Sequence, residues 1–191
     1  MAGLQILQDE GFEALSLRKI ADALGVQTPA LYWHVANRAE LYGLMAEVML
    51  REALAEIDDA LEGAAWLIAF GQAIYRLHAR RRDAASLVGF VVPTPAVHGD
   101  LLAGIVNRLI AGGMEPRQAF VAQSAVMSLT LGWSLFEGNP DVGSLMRERM
   151  DVVSAFDASL AALVDGLCSA RGRVGVQQAG SGSREAAASL G

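Results

Sequence analysis

The chain has 191 residues with a formal net charge of −6, 53% of them hydrophobic and 19% charged. That length suits one large domain, or a small domain joined to a larger one, and either buries a sizeable core. The acidic balance excludes a uniform polyanion-binding surface, so any contact with nucleic acid rests on where a few cations are placed.

A single cysteine, Cys168, excludes an internal disulfide and a cysteine metal cage, and its apolar helical surroundings make it a packed thiol. No stretch of roughly 18 uninterrupted apolar residues marks a membrane span, and the N-terminus lacks the basic flank and apolar centre of a signal peptide. No membrane association is expected, and the expected location is the cytoplasm. Leu and Ala dominate while β-branched runs are short, which predicts an all-α fold.

Residues 2 to 10 form the first expected helix, with Leu4, Ile6 and Leu7 at partly helical spacing and Gly11 ending it. Ser16 is placed to cap LRKIADAL, whose Leu17, Ile20, Ala21 and Leu24 recur at helical intervals, and Gly25 supplies left-handed backbone to close it. Thr28 is placed to cap a short helix from Pro29 to His34, since proline suits a first turn. Two short helices joined by a glycine turn make a helix-turn-helix. Asn37 followed by Glu40 is a capping-box-like start for a long helix reaching about Asp59.

Beyond Gly63 the apolar density rises. Helices are expected over Trp66 to Arg80, Ala84 to Phe90, Val97 to Ala111 and Pro116 to Glu137, with Pro93 and Pro95 of VVPTP forcing a break. The centre of the last, VAQSAVMSLTLGWSLF, is apolar almost all round, and a helix with no polar face has to be covered on every side. Ser144 to Met150 reads as a short helix. A final one, about Met150 to Ala170, carries a heptad-like stripe of Val153, Phe156, Leu160, Leu163, Val164 and Leu167. From Gly172 the chain is small and polar, which predicts a disordered tail over 172–191. His78 and the ARRRD run that follows it are expected at the solvated surface. No glycine-rich phosphate loop, paired metal-ligand motif or nucleophile set is present in the sequence, so an enzyme is not expected.

The string LSLRKIADALGVQTPALYWHVANRAEL resembles the DNA-binding domain of the TetR family. SAVMSLTLGWSLFE, Ser124 to Glu137, is similar to a late helix of the tetracycline-repressor-type C-terminal domain in that family. The resemblance implies an all-α homodimer with an N-terminal three-helix DNA-binding head over residues 1–46, containing the helix-turn-helix. A larger helical ligand-binding and dimerisation core then covers 47–171. The implied function is a ligand-responsive transcriptional regulator, a repressor released from a palindromic double-stranded DNA operator by a small effector. The alternative is a helical dimeric interaction protein that keeps the fold and has lost specific DNA binding. The acidity of the first fifty residues keeps that reading open, because Arg18, Lys19 and Arg38 stand among Asp9, Glu10, Glu13, Asp22, Glu40 and Glu47.

In such a head Leu31 and Val35 turn inward with Ile20, Leu24 and Val26, leaving Tyr32, Trp33 and His34 free to project toward a duplex. By resemblance, Tyr32 and His34 contact phosphate, Trp33 packs on the groove wall, and Arg18 pairs with guanine. Gln27, Thr28, Pro29 and Ala30 then do most of the base reading. The alternative for Trp33 is burial between head and body. Arg38 opens the long helix, where a cation opposes the helix dipole and is a poor choice for stability alone. A phosphate held there by free N–H groups and the guanidinium accounts for it.

For the core, the resemblance implies histidine and asparagine ligands around a magnesium-chelated drug. Approximate alignment puts Leu54 or Ala55, Ala73 and Val88 at those positions, so neither that metal complex nor any cofactor is expected. Glu137 matches a family acid near the metal, and a solvated helix end explains it as well. What remains is an apolar lining of Trp66, Phe70, Ile74, Phe90, Met127 and Leu131, with His98, Asn107 and Gln123 as polar anchors. That mix suits a hydrophobic or aromatic small molecule, with plain core packing as the competing account of each residue.

Overall fold

The computed structural model describes residues 2–90 and 95–169, apart from the side chains of Phe90 and of residues 95–98. The expected disordered tail, 172–191, and most of the VVPTP break lie outside the described residues. The described residues form α1 (Ala2–Glu10), a 3-10 turn (Phe12–Ala14), α2 (Leu17–Leu24), α3 (Thr28–Leu31), α4 (Arg38–Leu54) and α5 (Gly63–Arg80). Then come α6 (Ala84–Phe90), α7 (Pro95–Ala111), α8 (Pro116–Gly138), α9 (Pro140–Arg149) and α10 (Val152–Ser169), with no strand among the described residues. The fold is all-α, as the composition predicts.

Capping signals act where short-range spacing places them. Ser16 Oγ accepts the Lys19 N–H at 3.2 Å, Gly25 closes α2 at φ 67°, and Asn37 Oδ1 accepts the Glu40 N–H at 2.9 Å. Glu40 reaches one residue further back than in a capping box, accepting the Ala36 N–H at 2.7 Å. Helix α3 departs from expectation: its N-cap is Gln27, without a side-chain bond, and it ends at Leu31. Thr28 is already helical, so its hydroxyl lies inside the first turn rather than ahead of it. The turn is carried on by His34 and Val35, whose N–H groups both donate to the Leu31 carbonyl at 2.9 Å. Helix α4 stops at Leu54, short of Asp59. Helix α9 starts before Ser144, because Asn139 accepts the N–H groups of Asp141 and Val142 (3.1 and 3.0 Å) and Pro140 supplies first-turn backbone.

One apolar core runs from Leu4, Leu7 and Leu15 through Met45 and Met49 of α4 to Phe70, Phe156 and Leu160. Helix α4 packs on α5, α6 and α7, so it is a wall of the body as well as the end of the head. Helix α5 is central, with Phe70 and Ile74 fully buried. It meets α8 and α10 at Gly71, where a Cβ would come within 2.8 Å of Leu160 and 2.9 Å of Val126.

The ARRRD run, 79–83, is at the surface as expected, with Arg81 half-buried, but its side chains are engaged. Arg80 pairs with Glu56 at 2.7 Å, and Arg81 pairs with Glu52. The Arg82 guanidinium donates to the Asp9 carbonyl at 3.1 Å, and its backbone N–H donates to Gln8 Oε1 at 3.2 Å. Asp83 Oδ2 accepts the Phe12 N–H at 2.8 Å, with its own backbone in the left-handed region at φ 55°. The run therefore clasps the body to α1 and α4. Asp83→Ala removes the acceptor and leaves a residue poorly suited to that backbone, so a loss of about 1–3 kcal/mol is expected in urea unfolding. Asp83→Asn, which keeps an acceptor and tolerates positive φ, should recover most of it. Equal stability of the Ala variant and the parent would contradict the clasp.

Helices α8 and α10 have mean hydropathies of 1.4 and 1.5 and are, by length and composition alone, apolar enough to cross a membrane. The uninterrupted-run reading missed this because Ser, Thr and Gly break the run while barely lowering the mean. Within the chain only 28% of the α8 window and 22% of the α10 window is buried. At about 100° per residue, the exposed Val121 and Leu135 fall on the side of α8 opposite the buried Ala119, Ala122, Val126 and Thr130, with the exposed Phe120 and Phe136 on the two flanks. One chain thus leaves half of α8 uncovered, so the cover expected on every side of this helix has to come from outside the chain.

Candidate nucleic-acid interface and ligand core

Helix α3 is anchored through Leu31, which packs against the core that contains Ile20, and is followed by the buried Val35. Ile20 and Val35 are buried and Leu31 partly so. Leu24 and Val26 do not join them and are exposed, a correction to the expected head core. They flank Gly25, whose left-handed turn leaves both on the rim of the helix-turn-helix.

Past that anchor the polar and aromatic side chains point away from the protein. Tyr32, Trp33 and His34 are exposed, Trp33 to 88%, so the alternative of a tryptophan buried between head and body is ruled out. Gln27, Pro29 and Ala30 are exposed and Thr28 partly so, around the start of α3. Arg18 stands exposed near the start of α2, with no hydrogen bond or ion pair among the described residues. Lys19 is tied to Glu10 instead.

Arg38 is exposed at the first position of α4, and its orientation is set by a residue that the sequence reading passed over. Its Nε donates to Tyr42 Oη, and the guanidinium sits 5.1 Å from the centroid of the Tyr42 ring. Tyr42 is buried, lies tilted against the Phe12 ring (5.1 Å between centroids) and donates to the Leu15 carbonyl at 3.4 Å. With Nε held from behind, the terminal nitrogens of Arg38 are left for an anion beside the start of α4. The i, i+4 spacing of Arg38 and Tyr42 in one helix was the available signal.

In the body, Trp66 and Phe70 stack with centroids 5.4 Å apart and planes at 7°. Phe70 and Ile74 have no exposed surface, Gln123 is buried, Met127 is partly buried against the core, Leu131 is half-buried, and Asn107 is exposed. The side chains of Phe90 and His98 lie outside the described residues. Trp66 also borders a cavity of about 370 Å³ between the end of α4, α5 and α7, together with Leu54, Ile57, Leu101, Gly104 and Ile105. Arg108 closes one side of it, 5.5 Å from the Trp66 ring centroid and bonded to the Asp59 carbonyl at 2.6 Å.

His78 is not at the surface. It is largely buried, with Nδ1 at 2.9 Å from Ser134 Oγ and no partner for Nε2, and burial pushes its pKa down to about 4. Glu137 is no solvated helix end either, because Oε2 accepts the Tyr75 hydroxyl at 2.7 Å. Burial first, and then that carboxylate, push the Tyr75 pKa up.

The folded form of His78 is the neutral one, so the unfolded chain takes up the extra proton. Its contribution to stability is present above the ordinary value of 6.5 and is lost as pH falls toward 4. Between pH 7 and 4.5 the parent should lose about 2 kcal/mol more than His78→Phe in urea unfolding. An equal loss in both would contradict the assignment.

An exposed aromatic cluster beside an oriented arginine is carried on a helix-turn-helix, the architecture of a DNA-binding head, and is joined to a larger helical body. Residues 1–45 match the family described as bacterial regulatory proteins, tetR family. Over 158 residues the chain is 32% identical to the tetracycline repressor protein class G of Vibrio anguillarum, spanning 79% of this chain and 72% of that one. It is 29% identical over 194 residues to the class A tetracycline repressor from transposon 1721 of Escherichia coli, spanning 89% and 88%. Among solved structures, a TetR variant from Acinetobacter baumannii AYE in complex with minocycline superposes with a TM-score of 0.72 at 28% identity, covering 89% of this chain and 94% of that one. The chain belongs to the TetR family of transcriptional regulators.

Proposed function

We propose that this regulator is a cytoplasmic homodimeric repressor that binds a near-palindromic duplex operator and leaves it when a small hydrophobic or aromatic effector enters its core. The head would comprise residues 1–46 and the core 47–171. Trp33 carries the DNA reading: 88% exposure of an indole at the end of a recognition helix is unfavourable without a partner surface. Tyr32, His34 and Arg38 would hold phosphate, Trp33 would pack on the groove wall, and Arg18 with Gln27, Thr28, Pro29 and Ala30 would read bases.

For the effector, the support is the cavity beside Trp66. Its walls combine the apolar Leu54, Ile57, Trp66, Leu101 and Ile105 with the charged Arg51, Asp59, Asp100 and Arg108 at its margins, and its α4 wall belongs to the helix that begins at Arg38. An occupant there is placed to change the spacing of two heads. Of the residues expected to line the site, Trp66 borders this cavity, whereas Phe70, Ile74, Gln123, Met127 and Leu131 do not.

DNA fragments selected by the purified protein supply the test. Arg38→Ala should weaken binding to every selected sequence, while Arg18→Ala should relax the preference at one base pair by about 1–3 kcal/mol. Uniform weakening by Arg18→Ala, or no effect of Arg38→Ala, would reject these roles.

A further inference from the structure

A second cavity, of about 480 Å³, lies between α5, the start of α6, the end of α8 and α9, and neither the DNA reading nor the effector reading uses it. Two opposite charges, Glu137 and Arg147, border it without forming an ion pair. Glu137 has one oxygen, Oε2, occupied by the Tyr75 hydroxyl, and Oε1 has no bond among the described residues. Arg147 is exposed and has no hydrogen bond or ion pair among the described residues. An unjoined carboxylate and guanidinium around one half-open space form a gap with a negative and a positive side.

The remaining polar groups do not close that gap. Asp83 also borders the cavity, but its carboxylate is committed to the Phe12 N–H at 2.8 Å and lies 3.8 Å from Arg82. His78 is occupied at Nδ1 by Ser134 and, held neutral by burial, adds no charge. Between the charged sides the wall includes Ala79, Ala85 and Leu135, room for a modest apolar group.

We infer that this cavity is a second ligand site, which takes a small zwitterion of the amino-acid type with its ammonium on Glu137 and its carboxylate on Arg147. Two charge-assisted contacts fix the orientation of such a ligand. A molecule with only one of the two groups leaves the other protein charge unpaired and is rejected for that reason.

Calorimetric titration of the full chain with each standard amino acid in turn tests this. At least one should bind with a Kd of about 1 mM or tighter. The decarboxylated amine and the deaminated acid made from that amino acid should each bind about tenfold or more weakly, as should the parent amino acid to Glu137→Gln and to Arg147→Gln. Arg147→Gln alters an exposed, unpaired side chain, so an unchanged melting temperature will separate lost binding from lost fold. The inference is overturned if no amino acid binds below about 10 mM, if the acid alone binds as well as the amino acid, or if Arg147→Gln binds like the parent. None of these outcomes bears on DNA binding, which the fragment selection measures separately.

Discussion

Changing Val121 and Phe136 together to Glu is expected to convert a dimer into a folded monomer. Both side chains are exposed, at 47% and 61%, Val121 on the side of α8 that faces away from the rest of the chain and Phe136 on its flank. Helix α10 adds Val153, 55% exposed, and less than a third of either helix's apolar window is buried internally. Two such pairs related by a two-fold axis bury these faces as a four-helix bundle. Each large side chain contributes about 1.5–3 kcal/mol on burial, and symmetry counts every substitution twice. The dimer constant should therefore weaken by three orders of magnitude or more, about 4 kcal/mol at the least. Operator binding should fall with it, since a monomer holds one half-site and loses the roughly hundredfold or greater gain from tethering two heads. Sedimentation equilibrium at micromolar concentration decides this, and a monomeric parent or a dimeric variant would contradict it.

Gly104→Leu is expected to abolish effector response while leaving the protein folded. Gly104 borders the cavity beside Trp66, and a Cβ there meets no heavy atom within 4 Å, so the new side chain fills free space. Replacing a mid-helix glycine should also stabilise α7 by about 0.5–1 kcal/mol. Ala73 is the wrong place for such a block, because it is 1% exposed and enlarging it overpacks the core. In the parent, a hydrophobic aromatic compound found by thermal shift should add about 2.7 kcal/mol at a hundredfold excess over its Kd and release DNA, and in Gly104→Leu both effects should vanish. Release also requires that the compound prefer one head spacing, since equal affinity for both states shifts nothing. Tetracycline with magnesium should neither stabilise nor release, because Leu54 or Ala55, Ala73 and Val88 stand where the resemblance places the donors that hold such a drug. Metal-dependent release by tetracycline, or an intact response in Gly104→Leu, would contradict this account of the core.

Where a feature depends on a few neighbouring residues, the sequence made it legible. Ser16, Gly25 and Asn37 act as caps or turns because the groups they serve lie within three or four positions, and the outward aromatic cluster at Tyr32 to His34 follows from the inward placement of Leu31 and Val35. The misreadings share a different cause. His78 meets Ser134 across 56 positions, Tyr75 meets Glu137 across 62, and Asp83 meets the Phe12 N–H across 71. A run such as ARRRD has the composition of a solvated loop, and only the return of α5 past α4 and α1 supplies the acids and carbonyls that clasp it. Leu24 and Val26 were misplaced for a related reason, since periodicity marks one face of α2 but not where cover from neighbouring elements stops.

That this chain grips duplex DNA through α3 and the start of α4 is tested most directly by binding to a selected duplex as salt is raised, for the parent and Arg38→Ala side by side. The account predicts that log affinity falls linearly with log salt, with a slope of several, and that Arg38→Ala reduces that slope by about one through the loss of one phosphate contact. Absence of salt-dependent binding to any selected duplex at micromolar concentration would contradict it, and would leave a TetR-family dimer whose exposed Trp33 serves some other partner.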